Sequence, residues 1–336
     1  MHTGNSYKVS EFLVWTRRSL YAMALVSTLP VFLYQVAGFK WLVIPWGVVF
    51  LLGTTVALMS GFKNTQTYNR TWEAQQVWAS IASTSRVLGV LSRDFLDNTD
   101  QTRGIVYRQL AWLAALRYQM RVPRSWETTQ TSAANAEYRK HYSVSEQQSA
   151  LRNELEKYLG RQDATSILAS SHHATEALRV QSSALKRLLE EGAISTPYFI
   201  ELQKILRELS DQQAKAERIK DYPYPRQYAI VNVMFVRILA VLLPIGMISE
   251  FERLNPLVPG IMQGHMVWFA VPLSMLIAWM YMSLDQVGES TSNPFEGGAN
   301  DVPITEISRS LENDLREMLG ETGIPTLARP SGQIVT

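Results

Sequence analysis

The sequence contains no cysteine and has almost no net charge. Without cysteine, the 336 residues can form no disulfide bond, no thiolate nucleophile and no cysteine-based metal site. Lysine and arginine total 32 against 30 aspartate and glutamate residues, which gives a formal charge of +2. No basic segment interleaved with aromatic residues is present, so the sequence predicts no nucleic-acid partner.

The motifs of common enzyme classes are also missing. We find no HExxH, no P-loop, no GxGxxG after a strand and no GxSxG. His172 and His173 are adjacent, so on a helix they point about 100° apart and share no ligand. The sequence therefore predicts no catalytic residue, no cofactor and no metal site, and we expect a protein that is not an enzyme.

Formal charge is nearly absent from four long runs, which are 19–39, 41–62, 227–249 (interrupted only by Arg237) and 254–284. A bilayer core about 30 Å thick needs about 20 apolar residues in a helix, so each run is long enough to span it. The first run is too long for the apolar region of a signal peptide and no small-residue cleavage site follows it, so we expect it to be a span rather than a cleavable signal. We predict a multi-pass membrane protein with four transmembrane helices.

The charges beside these runs predict their orientation. Lys8, Arg17 and Arg18 precede the first run, whereas only Lys40 lies between the first and second runs. Positive residues favour the cytosolic side of a membrane, so both termini and the large central domain are expected in the cytosol. The predicted organisation is a cytosolic N-terminal segment (1–18), transmembrane helices 1 and 2 (19–62), a cytosolic helical domain (63–226), transmembrane helices 3 and 4 (227–284), and a cytosolic belt loop, tail helix and flexible C-terminus (285–336).

The central domain has the pattern of helices throughout, so the predicted fold class is all-α. Ser143 and Glu146 have the spacing of a capping box, and the helix that they open is predicted to end at Gly160. The following helix is predicted to run unbroken to a C-terminal cap at Gly192. Another helix is predicted to begin at Thr196 and Pro197, since proline suits the first turn.

One stripe of the second run continues past the end of the membrane. Thr54, Leu58 and Phe62 are spaced by four residues and share a helix face, which then continues to Asn69 and Glu73. Ordinary packing against neighbouring helices explains the apolar part, and spacing alone favours that interpretation. Alternatively, several copies of the stripe surround an axis, with an apolar constriction above a wet vestibule.

Arg237 is the one charged residue within the third run. A charge at that depth is costly and usually faces protein or water. It is expected either to contribute to the electrostatics of a pore or vestibule, or to form an internal ion pair, and the sequence does not favour one over the other.

Three segments resemble the bacterial branch of the bestrophin family. They are "GFKNTQTYNRTWEAQQVWASIASTSR" (61–86), "ERIKDYPYPRQYAIVNVMFVRILAVLLPIGM" (217–247) and "SNPFEGGANDVPITEISRSLENDLREMLGE" (292–321). The first holds the Gly-Phe-Lys-Asn run and the Tyr-x-Arg-x-Trp-Glu element that are similar to the family's second span. The resemblance implies an all-helical homopentamer with one ion pore on its five-fold axis.

The resemblance also implies site residues. The family's neck would be lined by Thr54, Leu58 and Phe62, with Thr54 making the outer end wider and wetter. A second, cytosolic aperture would fall on Tyr198, or on Ile194 if the alignment shifts; packing of Tyr198 at its helix start is the alternative. Animal members bind calcium after the Asn-Pro-Phe, but here Asp301 is the one acid near the expected end, so it is only a weak calcium-clasp-like position and no calcium switch is carried over. Asp301 is expected instead to cap the helix near 305 or to contact another subunit.

The expected function is a passive channel for small monovalent ions, located among the lipids of a bacterial inner membrane. Selectivity stays open at this point, because animal members of the family favour anions whereas bacterial relatives can favour cations. The bacterial resemblance gives a weak preference for cations, and Glu73 and Arg237 are the candidates, of opposite sign, for vestibule electrostatics. Two other classes stay open, namely a membrane-anchored signalling or scaffold protein and a secondary transporter, for which Pro244 and Gly246 give only a weak hint.

Overall fold

The computed structural model describes residues 7–322, 324, 334 and 335, and these form helices joined by turns, with no sheet among them. The α-helices in chain order are α1 (Val9–Gln35), α2 (Trp46–Phe95), α3 (Thr99–Arg121), α4 (Thr128–Thr131), α5 (Ala133–Tyr138), α6 (Ser145–Gln148), α7 (Leu151–Tyr158), α8 (Arg161–Ala169), α9 (His173–Glu190), α10 (Thr196–Asp221), α11 (Arg226–Leu254), α12 (Ala270–Ser290) and α13 (Ile304–Met318). The all-α prediction is confirmed for these residues.

The chain divides into two compact units. The span unit consists of residues 7–69 and 223–292, and the central unit consists of Arg70–Tyr222 with the described residues from Asn293 onward. The predicted domain limits mark where the chain crosses the membrane surface, whereas these two units are defined by packing. The predicted limits therefore stay predictions.

Three helices of the described chain are long and apolar enough to cross a membrane: α2, α11 with the turn after it, and α12 with the turn before it. The first predicted span falls on α1, which is 27 residues long but is not among these three, since Arg17 and Arg18 shorten its apolar part.

The side chains of Val31, Val56 and Leu239 are buried in the core of the span unit.

The last predicted span, 254–284, begins later than expected. Between α11 and α12 the chain forms three short 3-10 turns instead of continuing as α-helix. Pro259 offers no amide donor, and Gly260 has a φ of 86°, in the left-handed region that favours glycine. The α-helix therefore starts only at Ala270.

The central unit is built around α3, which packs against α7 and α9. Trp78 of α2, Trp112 of α3 and Leu202 of α10 are fully buried in the same core. The tail helix α13 covers this core with Leu311 and Leu315. A Cβ atom at Gly89 would lie 2.8 Å from Leu315 Cδ2, so glycine permits the close approach of α13 to α2.

Two local predictions in the central unit are wrong. The capping box of Ser143 and Glu146 does not form, because α6 begins at Ser145 after Val144, and no side chain caps it. Glu146 instead lies buried beside arginines. The helix predicted to run to Gly192 is interrupted between α8 and α9, so only His173 of the histidine pair is helical.

Two other local predictions are confirmed. Gly192 has a φ of 73° and ends α9, and α10 begins at Thr196 with proline in its first turn. The predicted flexible C-terminus falls mostly outside the described residues, although Ile334 is described and packs with Tyr142 and Val144.

Candidate functional site

The predicted neck residues lie on an exposed face of α2. Leu58 is 62% exposed and Phe62 is 64% exposed, and Thr54 is exposed as well. The other face of the same helix is buried, with Val56 at 0% and Ser60 at 2%. The stripe therefore makes no core packing within its own protomer, and its role as a neck stays a prediction.

Hydroxyl groups near this stripe are engaged with the helix itself. Thr54 Oγ1 donates a hydrogen bond to the carbonyl of Phe50 at 2.9 Å, and Thr65 Oγ1 donates to that of Gly61 at 2.9 Å. Such bonds satisfy the hydroxyl proton and leave the oxygen lone pairs directed outward. Thr54 therefore presents an acceptor and a methyl group rather than a free donor.

Glu73 is paired with a positive charge in the central unit. Its carboxylate accepts a short hydrogen bond from the guanidinium of Arg218 on α10. Arg70, one turn earlier on α2, interacts electrostatically with both groups and donates to the carbonyl of Ile219 at 2.6 Å. Two guanidinium groups thus accompany one carboxylate, so the neighbourhood of Glu73 is net positive.

Arg237, the second candidate for vestibule electrostatics, lies on α11 of the span unit and is exposed. Its neighbours Val236 and Leu239 are buried in the core of that unit. The arginine therefore points away from the packed side of α11, and its contribution to a pore stays a prediction.

Tyr198 lies in the first turn of α10 and stacks on Phe95, the last residue of α2. The two ring centroids are 4.0 Å apart and the ring planes differ by 4°. Tyr198 is 42% exposed, whereas Ile194, the alternative aperture residue, is 4% exposed and belongs to the core of the central unit. The structure thus gives the tyrosine an exposed edge and fixes its plane.

Asp301 organises the loop after the Asn-Pro-Phe rather than capping α13. Its Oδ2 accepts hydrogen bonds from the amides of Gly297 at 2.7 Å and Gly298 at 2.9 Å, and lies 3.8 Å from Arg121 Nη1. The residue before α13 is Pro303, and no side chain caps that helix. Among the described residues, no group of three or more histidine, aspartate or glutamate side chains is placed to hold a metal ion.

The same loop carries a second buried carboxylate, Glu296. It accepts hydrogen bonds from the amide of Thr128 at 2.7 Å and from the hydroxyl of Thr128 at 2.6 Å. Burial, with a smaller contribution from the nearby charge of Asp301, raises the pKa of Glu296 to about 8. Burial at this position therefore disfavours the charged form of Glu296.

Ion pairs surround these two acids, and the sequence analysis did not find them. Arg117 Nε lies 3.1 Å from Glu146 Oε1, Arg121 Nε lies 3.7 Å from Glu146 Oε2, and Lys220 pairs with Glu127. The partners are far apart in the chain, so helical spacing gives no signal for them. Their one local sign is the placement of Arg117 and Arg121 on a face of α3 that is otherwise apolar.

A second set of missed residues lies on the buried side of α2. Lys63 Nζ is 2.5 Å from Asp285 Oδ1, and Asn232 Nδ2 donates to the same oxygen at 2.6 Å. Lys63 directly follows Phe62, and Asp285 directly follows the last apolar run. A lysine and an aspartate at the ends of two apolar runs were the available signal for this pair.

Comparison with known proteins identifies the family. The family described as "Bacterial/Fungal Bestrophin protein" matches residues 12–317. The "Voltage-dependent anion channel-forming protein YneE" of Escherichia coli strain K12 is 25% identical over 311 residues, covering 93% of this chain and 87% of that protein. A protein of Mesorhizobium japonicum with the same description is 25% identical over 277 residues, covering 82% of this chain and 75% of its own.

The fold agrees with this match. A crystal structure of a bacterial bestrophin homologue from Klebsiella pneumoniae has a TM-score of 0.73 to this chain at 23% identity, covering 91% of this chain and 99% of that one. The sequence match extends over α1 to α13, and the structural likeness covers nearly the same length. The chain therefore belongs to the bacterial and fungal bestrophin family.

Proposed function

We propose that this protein is a passive ion channel of bestrophin type whose pore is lined by α2 from several subunits. The observation that carries the proposal is the exposed stripe of Thr54, Leu58 and Phe62 on a helix whose opposite face is buried. Lipid tails or copies of the same helix can cover an apolar stripe in a membrane. The polar continuation of this face to the exposed Asn69 favours copies of α2 around a water-filled axis. The relatives named as channel-forming proteins support the same conclusion, and the family is one of channels rather than enzymes.

The neck of this channel is a hydrophobic gate. Leu58 and Phe62 carry no charge, and a ring of such side chains excludes water when it is narrow. Thr54 at the outer end is smaller and polar, so that end holds water more readily. The neck therefore controls opening more than it selects between ions.

The assembly that we propose is a homopentamer. A single subunit has no axial pore, and the resemblance to the family implies five copies. In this assembly α1 crosses the membrane as a fourth span beside the three apolar helices. Both termini and the central unit face the cytosol of a bacterium, and the spans contact the lipids of its inner membrane.

The permeant ions that we propose are small monovalent anions. Glu73 is the acidic candidate for the vestibule, but Arg218 and Arg70 outnumber its charge. The names of the relatives, anion channel-forming proteins, point the same way. The expected preference for cations rests on the bacterial resemblance alone and has no residue of this chain in its support.

Tyr198 is the proposed cytosolic aperture. It is exposed, and its stack on Phe95 fixes the ring in one plane. Ile194 is buried in the core of its own protomer and is therefore the weaker candidate.

The experiment that tests the proposal is a current measurement on purified protein in planar bilayers, preceded by a mass measurement in detergent. We expect a pentamer that conducts without an energy source, with a reversal potential that follows the chloride gradient. A monomer would favour the scaffold alternative, in which the central helical domain binds partners. Flux that saturates and couples two solutes would favour a transporter.

A further inference from the structure

A buried polar cluster joins three helices of the span unit. It consists of Ser60 and Lys63 from α2, Asn232 from α11 and Asp285 from α12. Ser60 and Asn232 are each 2% exposed, and Lys63 is 4% exposed. Burial of polar groups in a span unit costs free energy unless the groups are fully paired. We therefore expect this cluster to have a structural or functional role.

Asp285 is the centre of the cluster. Its Oδ1 accepts hydrogen bonds from Lys63 Nζ at 2.5 Å and from Asn232 Nδ2 at 2.6 Å, and its backbone carbonyl accepts from Lys63 Nζ at 3.3 Å. Asn232 is oriented in turn, since its Oδ1 accepts from Ser60 Oγ at 3.1 Å. The lysine and the aspartate thus satisfy each other, and removal of Asp285 leaves the buried Lys63 without this hydrogen-bonded partner, with Glu289 as the remaining acid that interacts with it.

The cluster lies on the side of α2 that faces away from the predicted neck. Lys63 and Phe62 are adjacent, so their side chains leave the helix about 100° apart, and Ser60 and Phe62 are about 200° apart. Lys63 is 4% exposed, whereas Phe62 is 64% exposed. Any rotation of α2 about its own axis therefore moves Lys63 and Phe62 together, so the position of one residue determines that of the other.

Close packing next to the cluster restrains the same helix. A Cβ atom at Gly288 of α12 would lie 2.1 Å from Asn64 Oδ1, so a larger residue at this position would displace the Asn64 side chain of α2. One turn further along each helix, Thr67 Oγ1 and Thr291 Oγ1 are 3.2 Å apart. The two helices are thus held in one register over consecutive turns.

We infer that the Lys63–Asp285 ion pair is a rotational lock on α2 which positions the neck residues Leu58 and Phe62. Apolar contacts alone orient a helix weakly in lipid, because the lipid tails are as apolar as the side chains. A charge pair with hydrogen bonds on both partners has one favourable geometry and penalises every other rotation of α2. Lys63 and Asp285 are positioning residues in this scheme, and its effect on currents rests on the proposed channel function.

Thiol modification tests the lock, because the chain contains no cysteine and single cysteines can be read without background. Phe62→Cys reports the exposed face of α2, and Val56→Cys reports the buried face. Reaction rates with a small water-soluble thiol reagent are measured by mass spectrometry on purified protein in detergent. Each cysteine is placed in the native background, in Asp285→Asn, and in the exchanged pair Lys63→Asp/Asp285→Lys.

We expect Asp285→Asn to slow the reaction at position 62 and to speed it at position 56. A change of about tenfold in the ratio of the two rates corresponds to a preference of about 1.4 kcal/mol for the native rotation of α2. The exchanged pair should return the ratio toward the native value. Lys63→Arg keeps a positive charge opposite Asp285, so its ratio of rates should stay close to the native value. This variant tests the lock even if the exchanged pair fails to fold. Glu190→Gln, which removes half of the exposed Lys186–Glu190 pair on α9, is the matched control and should change neither rate.

Two results would overturn the lock. One is an unchanged ratio in Asp285→Asn. The other is a parallel rise at both positions, which indicates loosened packing rather than rotation. Open probability in bilayers is measured on the same variants and should change with the ratio. If no variant conducts while the ratio still changes, the proposed channel function fails and the lock stands.

Discussion

The ring of Tyr198 lies flat on the ring of Phe95, with 4.0 Å between their centroids and 4° between their planes. A stacked aromatic pair is worth about 0.5–1.5 kcal/mol beyond its burial, so stacking favours this orientation of the tyrosine ring. The last residue of α2, the helix that carries the neck stripe, thus supports the side chain proposed for the cytosolic aperture.

Replacing Tyr198 by alanine should raise the single-channel conductance, because the aperture loses its largest side chain. Phe95→Ala should give a smaller change in the same direction, since it frees the tyrosine without removing it. Bilayer recordings of both variants check this. Ile194→Ala is the control: it should lose about 2–5 kcal/mol of stability through a core cavity and leave the conductance unchanged. If Tyr198→Ala has the native conductance, Tyr198 does not form the aperture.

Replacing Leu58 or Phe62 by alanine should raise the open probability of the channel. Smaller side chains widen the neck and let water remain in it, which removes the barrier of an apolar constriction. Single-channel recording measures the effect. Val56→Ala removes a fully buried side chain on the other face of α2 and should lower the melting temperature without changing the gate. Equal gating effects from Val56 and Phe62 would count against the neck.

Substitutions at Glu73 and Arg218 should shift the ion selectivity in opposite directions. Glu73→Gln leaves the local positive charge in excess and should increase the preference for anions, whereas Arg218→Gln should decrease it. Reversal potentials under a salt gradient report both changes, and added salt should weaken them through screening. Arg207→Gln, an exposed arginine on the same helix α10, is the matched control. Identical reversal potentials in all three variants would exclude this region from selectivity.

The stability of the protein should fall as the pH rises from about 4.5 to about 8, because of Glu296. Its pKa is about 8 in the folded chain against an ordinary value of 4.5, so between these values the folded state binds more protons than the unfolded state. This proton makes its full contribution to the free energy of unfolding below about pH 4.5, and the contribution is lost above about pH 8. The slope is at most about 1.4 kcal/mol per pH unit.

Melting temperatures across this pH window test the prediction on the native chain and on Glu296→Gln. Glutamine cannot ionise and still accepts a hydrogen bond from Thr128, so the variant should lose this part of the pH dependence. Glu191→Gln, at an exposed position after α9, should keep the native pH profile. An unchanged slope in Glu296→Gln would assign the effect to other groups.

Short-range sequence patterns predicted those features of the fold that depend on residues close together in the chain. The apolar runs indicated α2, α11 and α12, Thr196 and Pro197 marked the start of α10, and Gly192 marked the end of α9. Contacts between distant residues were not predictable in this way. Lys63 and Asp285 are 222 residues apart in the chain, and Glu146 has the spacing of a cap yet pairs with Arg117 and Arg121. Burial and charge pairing overrode the local signal at these positions.

The helical spacing predicted that the three candidate neck residues share one face of α2, whereas their assignment to a neck came from the family resemblance and stays a prediction. Thr54, Leu58 and Phe62 repeat every fourth residue, and their exposure agrees with a stripe that has no partner within its own protomer. The buried acids of the loop after α12 were not predictable, because Glu296 and Asp301 gain their roles only through Thr128 and Arg121 from other parts of the chain.

The central claim, that ions pass along the exposed stripe of α2, is tested most directly by current block in the Phe62→Cys variant. Because the native chain has no cysteine, a charged thiol reagent reacts only at position 62. We predict that modification reduces the single-channel current of the variant in planar bilayers and leaves the native current unchanged. A current that persists unaltered after mass spectrometry shows complete modification would contradict the claim.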